Sequence, residues 1–450
     1  MNLNEQSTAV PVDLLRLGLH IHALDRPWVE TPFIFQGFRI ATEQEIETLR
    51  AYCRSVYIDL GQSEPAAAEA VMAAGKRQPL HTEQIGSPTH EALKQRRVPE
   101  ALRECAGTLF EPTTHPDRAR FGRLVHAASN IRDAASEAVR ESLLRLHQNR
   151  PLNITRATRA VDQMSRLINA DASPSLWLSR LQRHDSYLAD HAANSCAIAL
   201  AFGASLGMEG KGLQCLGLGT LLMDVGMIKV PRETLTKKRP LSSGERATMR
   251  QHVEIGGEQL AAAGLPAEAL AIVRQHHERI DGRGYPNGAG GDSLPRQALI
   301  AGLADSFDAM TVDRPYRAAF RPDQALQELY RSAEETFGSE LVEAFIRCVG
   351  TWPVGSLVQL DNGAIGIVVG SRPGAGAWPT VLLLRTPDGE PYRKRLLLNL
   401  AATDGADAQV NARQIRRALG QREANIDIGK VVAREFGRGR RDSGKATEAA

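Results

Sequence analysis

Between Ile154 and Cys348 the chain alternates long helical periodicities with short loops and carries almost no convincing strand. A block of that length with one dominant period has to bury its apolar faces helix against helix, so it reads as all-α. The longest apolar run within it, Cys215 to Val230, is interrupted by Asp224 and is too short to span a bilayer.

The flanks have a different texture. Leu17, Leu19, Ile21 and Ala23 alternate as in a half-buried strand placed within Val12 to Asp25. Thr42 precedes Glu45 by three, a capping-box signature, and Ile46 and Leu49 carry a short helix to about Arg54; Ser55 to Leu60 reads as a returning strand. The aromatic and proline cluster Trp28, Pro32, Phe33, Phe35 and Phe38 between them is expected to be core. Residues 63–116 read as a linker with a weak helix, and 117–150 as a connecting helix with Leu124, Val125, Ile131, Val139, Leu143 and Leu144 as its apolar positions. Beyond the α-block, residues 351–402 hold three strand patterns, GSLVQL, AIGIVVG and TVLLLRT, separated by turn chemistry, a small β-meander. The expected fold is therefore mainly α: a helical bundle with a small αβ N-terminal module at 8–62 and a small C-terminal β subdomain. Residues 403–450 form a C-terminal segment with a disordered tail.

Composition narrows the function classes. The 450 residues carry 55 basic and 52 acidic side chains, a net charge of +3. Residues 430–450 alone hold six basic and three acidic groups, so the rest of the chain is formally neutral and no nucleic-acid partner is implied. Five widely spaced cysteines without a CxxC pair fit reduced thiols in a cytoplasm, and the N-terminus lacks a secretion signal. A cytoplasmic protein without membrane insertion is expected.

The titratable residues of the α-block cluster along the sequence. His184-Asp185 and His191 lie on one helical stretch, followed by His252, the adjacent pair His276-His277, and then Asp305 and Asp308. Imidazoles and carboxylates converging from several helices are how dinuclear metal sites are built in bundle cores. The most specific string is HHERIDGRGYP, 276–286, in which Gly282, Gly284 and Pro286 end a helix and project Tyr285 beside the two histidines.

These strings resemble the HD-GYP domain, a branch of the HD-type metal phosphohydrolases whose known members hydrolyse cyclic di-GMP. The resemblance runs through HDSYLADH at 184–191, LLMDVGMIKVP at 221–231, LSSGERATMRQHVEIG at 241–256, HHERIDGRGYP, and ADSFDAMTVDRPYR at 304–317, which places an HD-GYP domain at 151–350. Residues 12–60 are similar to a domain of uncharacterised function that often precedes HD-GYP domains. The resemblance implies two or three iron- or manganese-type ions and a metal-held hydroxide that attacks phosphate. It carries ligand positions onto His191, Asp224, His252, His276, His277 and Asp305, with Asp224 as the bridge and the catalytic carboxylate. Tyr285, Arg314 and Arg317 fall at substrate-contact positions, where guanidinium suits phosphate or the guanine edge.

The chain departs from the family at the motif that names it. Where the family reads LLHDIGKI, this sequence reads LLMDVGMIKV, so Met223 replaces the dyad histidine and Met227 the lysine. A thioether is a poor ligand for iron or manganese, which implies one well-held ion rather than two. Lys229, two residues beyond Met227, points away on a helix and cannot substitute. The expectation is a catalytically degenerate protein of cyclic di-GMP signalling, acting as a sensor of cyclic di-GMP or as a docking module for signalling proteins. The alternatives are an active phosphodiesterase releasing pGpG or GMP, and a structural interaction protein with a vestigial pocket. A homodimer stays open.

Overall fold

The computed structural model describes residues 7–25, 38–40, 43–61, 63–75, 118–179, 187–235, 237, 239–312, 319–370, 379–392, 396–400 and 414–431. Contacts divide the chain into two compact units, residues 1–100 and 101–450.

In the first unit, β1 (Ser7–Pro11), β2 (His20–Leu24), β3 (Phe38–Arg39), α1 (Glu43–Tyr52), β4 (Ser55–Asp59) and α2 (Pro65–Gly75) build one layer of helix on one antiparallel sheet of order β1-β4-β2-β3. Val10, Leu19, Ile21, Val56 and Ile58 from the strands meet Ile46, Leu49 and Val71 from the helices in a shared apolar core. The long strand expected within Val12 to Asp25 is shorter. Val12–Leu14 form a 3-10 turn and Gly18 takes φ +87, so the chain reverses before His20 and leaves Leu17 44% exposed. A positive φ is inexpensive only for glycine, which is why the alternation at 17–19 does not continue one strand. The expected aromatic cluster at 28–38 lies outside the described residues, apart from the backbone of Phe38, which pairs with Ile21.

The second unit is mainly helical. It runs through α3 (Arg118–His147), α4 (Thr155–Ala170), α5 (Ser173–Leu178), α6 (Tyr187–Ser205), α7 (Gly210–Leu222), α8 (Arg232–Leu235), α9 (Ser243–Ala262), α10 (Ala267–Gln275), α11 (Arg296–Thr311), α12 (Pro322–Arg331), α13 (Ala333–Thr336) and α14 (Ser339–Val349). Helices α6 and α7 form the centre. Residues 189–204 are buried without interruption, the polar Asp190, His191, Asn194 and Ser195 included, and α7 is buried from Cys215 to Leu222. Ser242 and Glu245 close a reciprocal capping box that fixes where α9 begins.

A five-stranded antiparallel sheet follows: β5 (Leu357–Leu360), β6 (Ile365–Gly370), β7 (Thr380–Arg385), β8 (Leu397–Asn399) and β9 (Ile415–Leu419), in the order β8-β7-β6-β5-β9. The three strands read from sequence are its centre. The fifth, β9, pairs with β5 from beyond the residues read as meander. Val358, Ile367, Val368, Val381 and Leu382 share one core with Val125 and Ala128 of α3, Leu167 of α4 and Leu178 of α5. Among the described residues, no helix is long and apolar enough to cross a membrane.

One aromatic side chain ties the site-bearing helices together. Phe345 on α14 is fully buried and meets Phe202 of α6 and Phe307 of α11 edge to face, at centroid distances of 5.2 and 5.5 Å. Truncation to Phe345→Ala removes both contacts and leaves a cavity, and is expected to destabilise the helical unit by about 3–5 kcal/mol. Urea denaturation followed by helical circular dichroism measures it as a lowered midpoint.

Candidate metal centre

The site is assembled from five helices and one 3-10 turn. Asp224 follows α7 and opens the turn Val225–Lys229. His252 lies within α9, His276 caps α10 and His277 follows it, while Asp305 and Asp308 lie on α11 and His191 on α6. A close approach of backbones brings the turn and α9 together. A Cβ on Gly226 would stand 2.1 Å from the His252 carbonyl oxygen and 2.8 Å from the Gly256 nitrogen, so only glycine lets the two segments pack this tightly.

Two overlapping groups of ligand-type atoms result. Atoms of Asp224, His252, His276 and His277 lie within 4.8 Å of one another, and so do atoms of His191, Asp224 and Asp305. Asp224 belongs to both. The imidazole rings of His276 and His277 are 4.0 Å apart, and His252 stands 5.6 and 5.2 Å from them.

Backbone carbonyls set the tautomers. His252 Nδ1–H donates to the Met249 carbonyl at 2.7 Å and His276 Nδ1–H to that of Val273 at 2.9 Å, because a carbonyl oxygen can only accept. Each neutral ring then carries its lone pair on Nε2, facing Asp224 Oδ1 at 3.3 and 3.7 Å. A lone pair facing a carboxylate oxygen is repulsive unless a proton or a cation lies between them. Nε2 of His252, His276 and His277 and Oδ1 of Asp224 are all buried without a hydrogen-bond partner. Orphaned buried acceptors of this kind are costly, and a divalent cation satisfies all four at once.

The electrostatics couple these groups to one another. Burial raises the Asp224 pKa, but the imidazoles of His252 and His276 outweigh it and hold the carboxyl well below its ordinary range. Burial lowers the His252 pKa, yet Asp224 lifts it above the usual value. His277 is pushed well below its ordinary value by burial and then by the neighbouring His276 and His252, which keeps it neutral as a ligand must be.

The second group differs. His191 Nδ1 meets Asp308 Oδ2 at 2.6 Å and its Nε2 meets Asp305 Oδ1 at 2.8 Å, so both ring nitrogens are engaged by carboxylates. Burial works against protonation here, but the two carboxylates win and His191 stands well above its ordinary pKa. Met223, next to Asp224 in the chain, is fully buried, and Met227 is half-buried in the following turn. Lys229 is occupied elsewhere: its Nζ donates to Asn149 Oδ1 at 2.8 Å.

The HHERIDGRGYP string forms a tethered loop. The Tyr285 amide donates to the His277 carbonyl at 3.2 Å, and its ring stacks on His277 at 4.4 Å. Glu278, 1% exposed, accepts from the Asn287 amide at 2.8 Å and so pins the two ends of the loop. The Arg279 guanidinium donates to the carbonyls of His276 and Glu278 and lies over Phe337 at 4.5 Å. The amides of Ile280 and Asp281 donate to the carbonyls of Thr336 and Glu335.

The structure thus brings together His191, Asp224, His252, His276, His277, Asp305 and Tyr285. His184, Asp185, Arg314 and Arg317 lie outside the described residues. Glu278 was not foreseen as a brace, nor Asp308 as the partner of His191. The spacing of Asp308 from Asp305, three residues on one helix face, was the available signal.

Comparison with known proteins agrees with this architecture. A family model described as "HD domain" matches residues 163–341, and one described as "Domain of unknown function (DUF3391)" matches residues 7–166. The two matches place a region similar to DUF3391 ahead of a region similar to the HD domain. Among its relatives is a cyclic di-GMP phosphodiesterase of Pseudomonas aeruginosa, 28% identical over 365 residues, covering 80% of this chain and 81% of that protein. The cyclic di-GMP phosphodiesterase response regulator RpfG of Xanthomonas campestris pv. campestris is 31% identical over 220 residues, 47% of this chain and 54% of that protein. A cyclic di-GMP phosphodiesterase of Thermotoga maritima is 38% identical over 128 residues, 28% of this chain and 35% of that protein.

The close packing at Gly226 gives a direct test of the site's geometry. Gly226→Ala forces the turn away from α9, with an expected loss of about 1–3 kcal/mol of stability. It also separates Asp224 from His252. Calorimetric titration with Mn²⁺ should show weaker binding, alongside a lower melting temperature for the metal-free protein.

Proposed function

We propose that this protein is a catalytically degenerate HD-GYP protein of cyclic di-GMP signalling. It holds one iron or manganese ion and binds the messenger as a sensor or as a docking module for signalling proteins. The observation that carries the reading is the asymmetry of the two ligand groups. Asp224, His252, His276 and His277 offer four orphaned buried donor atoms, whereas the neighbouring group contains His191 already engaged by two carboxylates, with a buried thioether at position 223.

In this reading Asp224, His252, His276 and His277 hold the ion. When bound, such an ion supplies charge neutralisation at a phosphate and lowers the pKa of a water. The chain's own residues do the rest. The carbonyls of Met249 and Val273 keep two imidazoles in the ligating tautomer, and Asp308 orients His191. Tyr285, stacked on His277, walls the pocket beside the ligands. Arg314 and Arg317 serve as phosphate or guanine contacts, by the donor geometry of guanidinium. The protein works in the cytoplasm in this reading, and its oligomeric state follows from solution sizing.

A second reading, a slow phosphodiesterase, is favoured by the completeness of the Asp224, His252, His276 and His277 group. Water then attacks phosphorus and the P–O3′ bond breaks, giving pGpG and, after a second cleavage, GMP. Met227 offers no cation to the phosphoryl oxygens, and loss of one such group lowers rates by about 10²- to 10³-fold.

Metal analysis of protein purified without chelator is expected to give one iron or manganese per chain, falling to none in His276→Ala. Absence of metal and of cyclic di-GMP binding by calorimetry would leave only the docking role. Restoring the family's residues in the double variant Met223→His, Met227→Lys is expected to raise the metal count to two. The same variant should increase release of pGpG by about 10²-fold or more over wild type, measured by nucleotide chromatography. Equal release by wild type and the double variant would count against degeneracy.

A further inference from the structure

One cation at the site is not used by any interaction described above. Arg250, on α9 two residues before His252, is exposed, and its guanidinium lies over the ring of Tyr285 with the central carbon 4.8 Å from the ring centroid. The same ring is stacked on His277 at 4.4 Å. The guanidinium is therefore no farther from the His277 ring than those two steps laid end to end. Among the described residues, nothing else engages it through a hydrogen bond or an ion pair.

Four other cations of the helical unit have partners. Arg279 is spent on the carbonyls of His276 and Glu278, Arg283 faces Asp281 at 3.8 Å, Lys229 is bound to Asn149, and Lys237 is paired with Glu245. Arg250 alone among these keeps its N–H donors unpaired. Lying over an aromatic face restrains a long side chain without consuming those donors, since the cation–π contact uses the face of the guanidinium and leaves its edge available.

We infer that Arg250 is a nucleotide-phosphate contact at the rim of the metal centre, on the reading that the pocket binds a cyclic dinucleotide. Such a ligand carries two phosphodiesters, and one ion can neutralise only one of them. The second needs a positive group within one ribose and base of the first. The position from which the family's lysine would act holds Met227, and Arg250 adds counter-charge from the rim to the contacts proposed for Arg314 and Arg317. A planar guanidinium offers two parallel N–H donors to two phosphate oxygens, and Tyr285 is the surface that aims it.

The test is calorimetric titration of the Mn²⁺-loaded full chain with cyclic di-GMP and, separately, with GMP, for wild type, Arg250→Ala and Arg250→Lys. Arg250→Ala is expected to raise Kd for cyclic di-GMP about ten- to hundredfold and to flatten its dependence on salt concentration. Arg250→Lys should recover part of the affinity. Mn²⁺ affinity should be the same in all three proteins, which a merely structural role for Arg250 would not predict together with a changed salt dependence. Equal affinity and equal salt dependence in wild type and Arg250→Ala, for whichever nucleotide binds, overturns the assignment. Binding of GMP but not of cyclic di-GMP by wild type overturns the proposed function, and Arg250 is then judged on the GMP titration. Binding of neither nucleotide overturns both.

Discussion

Four acceptor atoms without donors, enclosed by apolar helices, are the constraint on which the helical unit turns. Asp224 Oδ1 and the Nε2 atoms of His252, His276 and His277 come from three separate chain segments, and none finds a hydrogen bond in the protein. A fold does not collect such groups for stability, because each unsatisfied buried polar atom costs about 1–3 kcal/mol. The surrounding design makes sense as the means of holding them: Gly226 permits backbone contact with α9, Phe345 locks α6 to α11, and Glu278 pins the loop that carries Tyr285. The same arrangement explains why the pair of methionines matters more than its size suggests. Met223 sits fully buried beside the shared carboxylate, filling volume while contributing neither charge nor a hard donor.

The site was legible in the sequence wherever side chains alone define it. Histidines adjacent at 276–277 and spaced through helical segments with carboxylates are uncommon enough to stand out, and the structure places their rings within a few ångströms of each other. The tautomer-setting carbonyls of Met249 and Val273 were not legible, since any residue supplies a carbonyl. Nor was the fate of Lys229. Helical projection shows that it leaves the site, but only the structure shows it held by Asn149, eighty positions away in the chain.

In the fold, period and turn chemistry located the helices and the three central strands of the C-terminal sheet. Strand β9 escaped because IRRAL does not alternate: its burial runs buried, exposed, exposed, buried, buried, and its pairing with β5 shifts register between Gln359 and Leu360. Strand β1 escaped for a different reason. It starts on Ser7 and Thr8 and ends at Pro11, a composition that reads as a turn until β4 supplies the hydrogen-bonding partner.

Helix α3 has thirty residues, which at 1.5 Å each makes a rod of about 45 Å. It begins in the region matched by the domain of unknown function, lies against the sheet core through Val125 and Ala128, and ends just before Asn149, the residue that grips Lys229. The turn held at that end is the one that opens with Asp224. The next helix, α4, runs from Thr155 to Ala170 through residues 163–166, where the two matched regions overlap, so that overlap is a boundary of sequence description and not a break in the structure. The segment just past the end of the rod is thus tied by one hydrogen bond, Asn149 to Lys229, to the turn that carries the pocket's shared carboxylate.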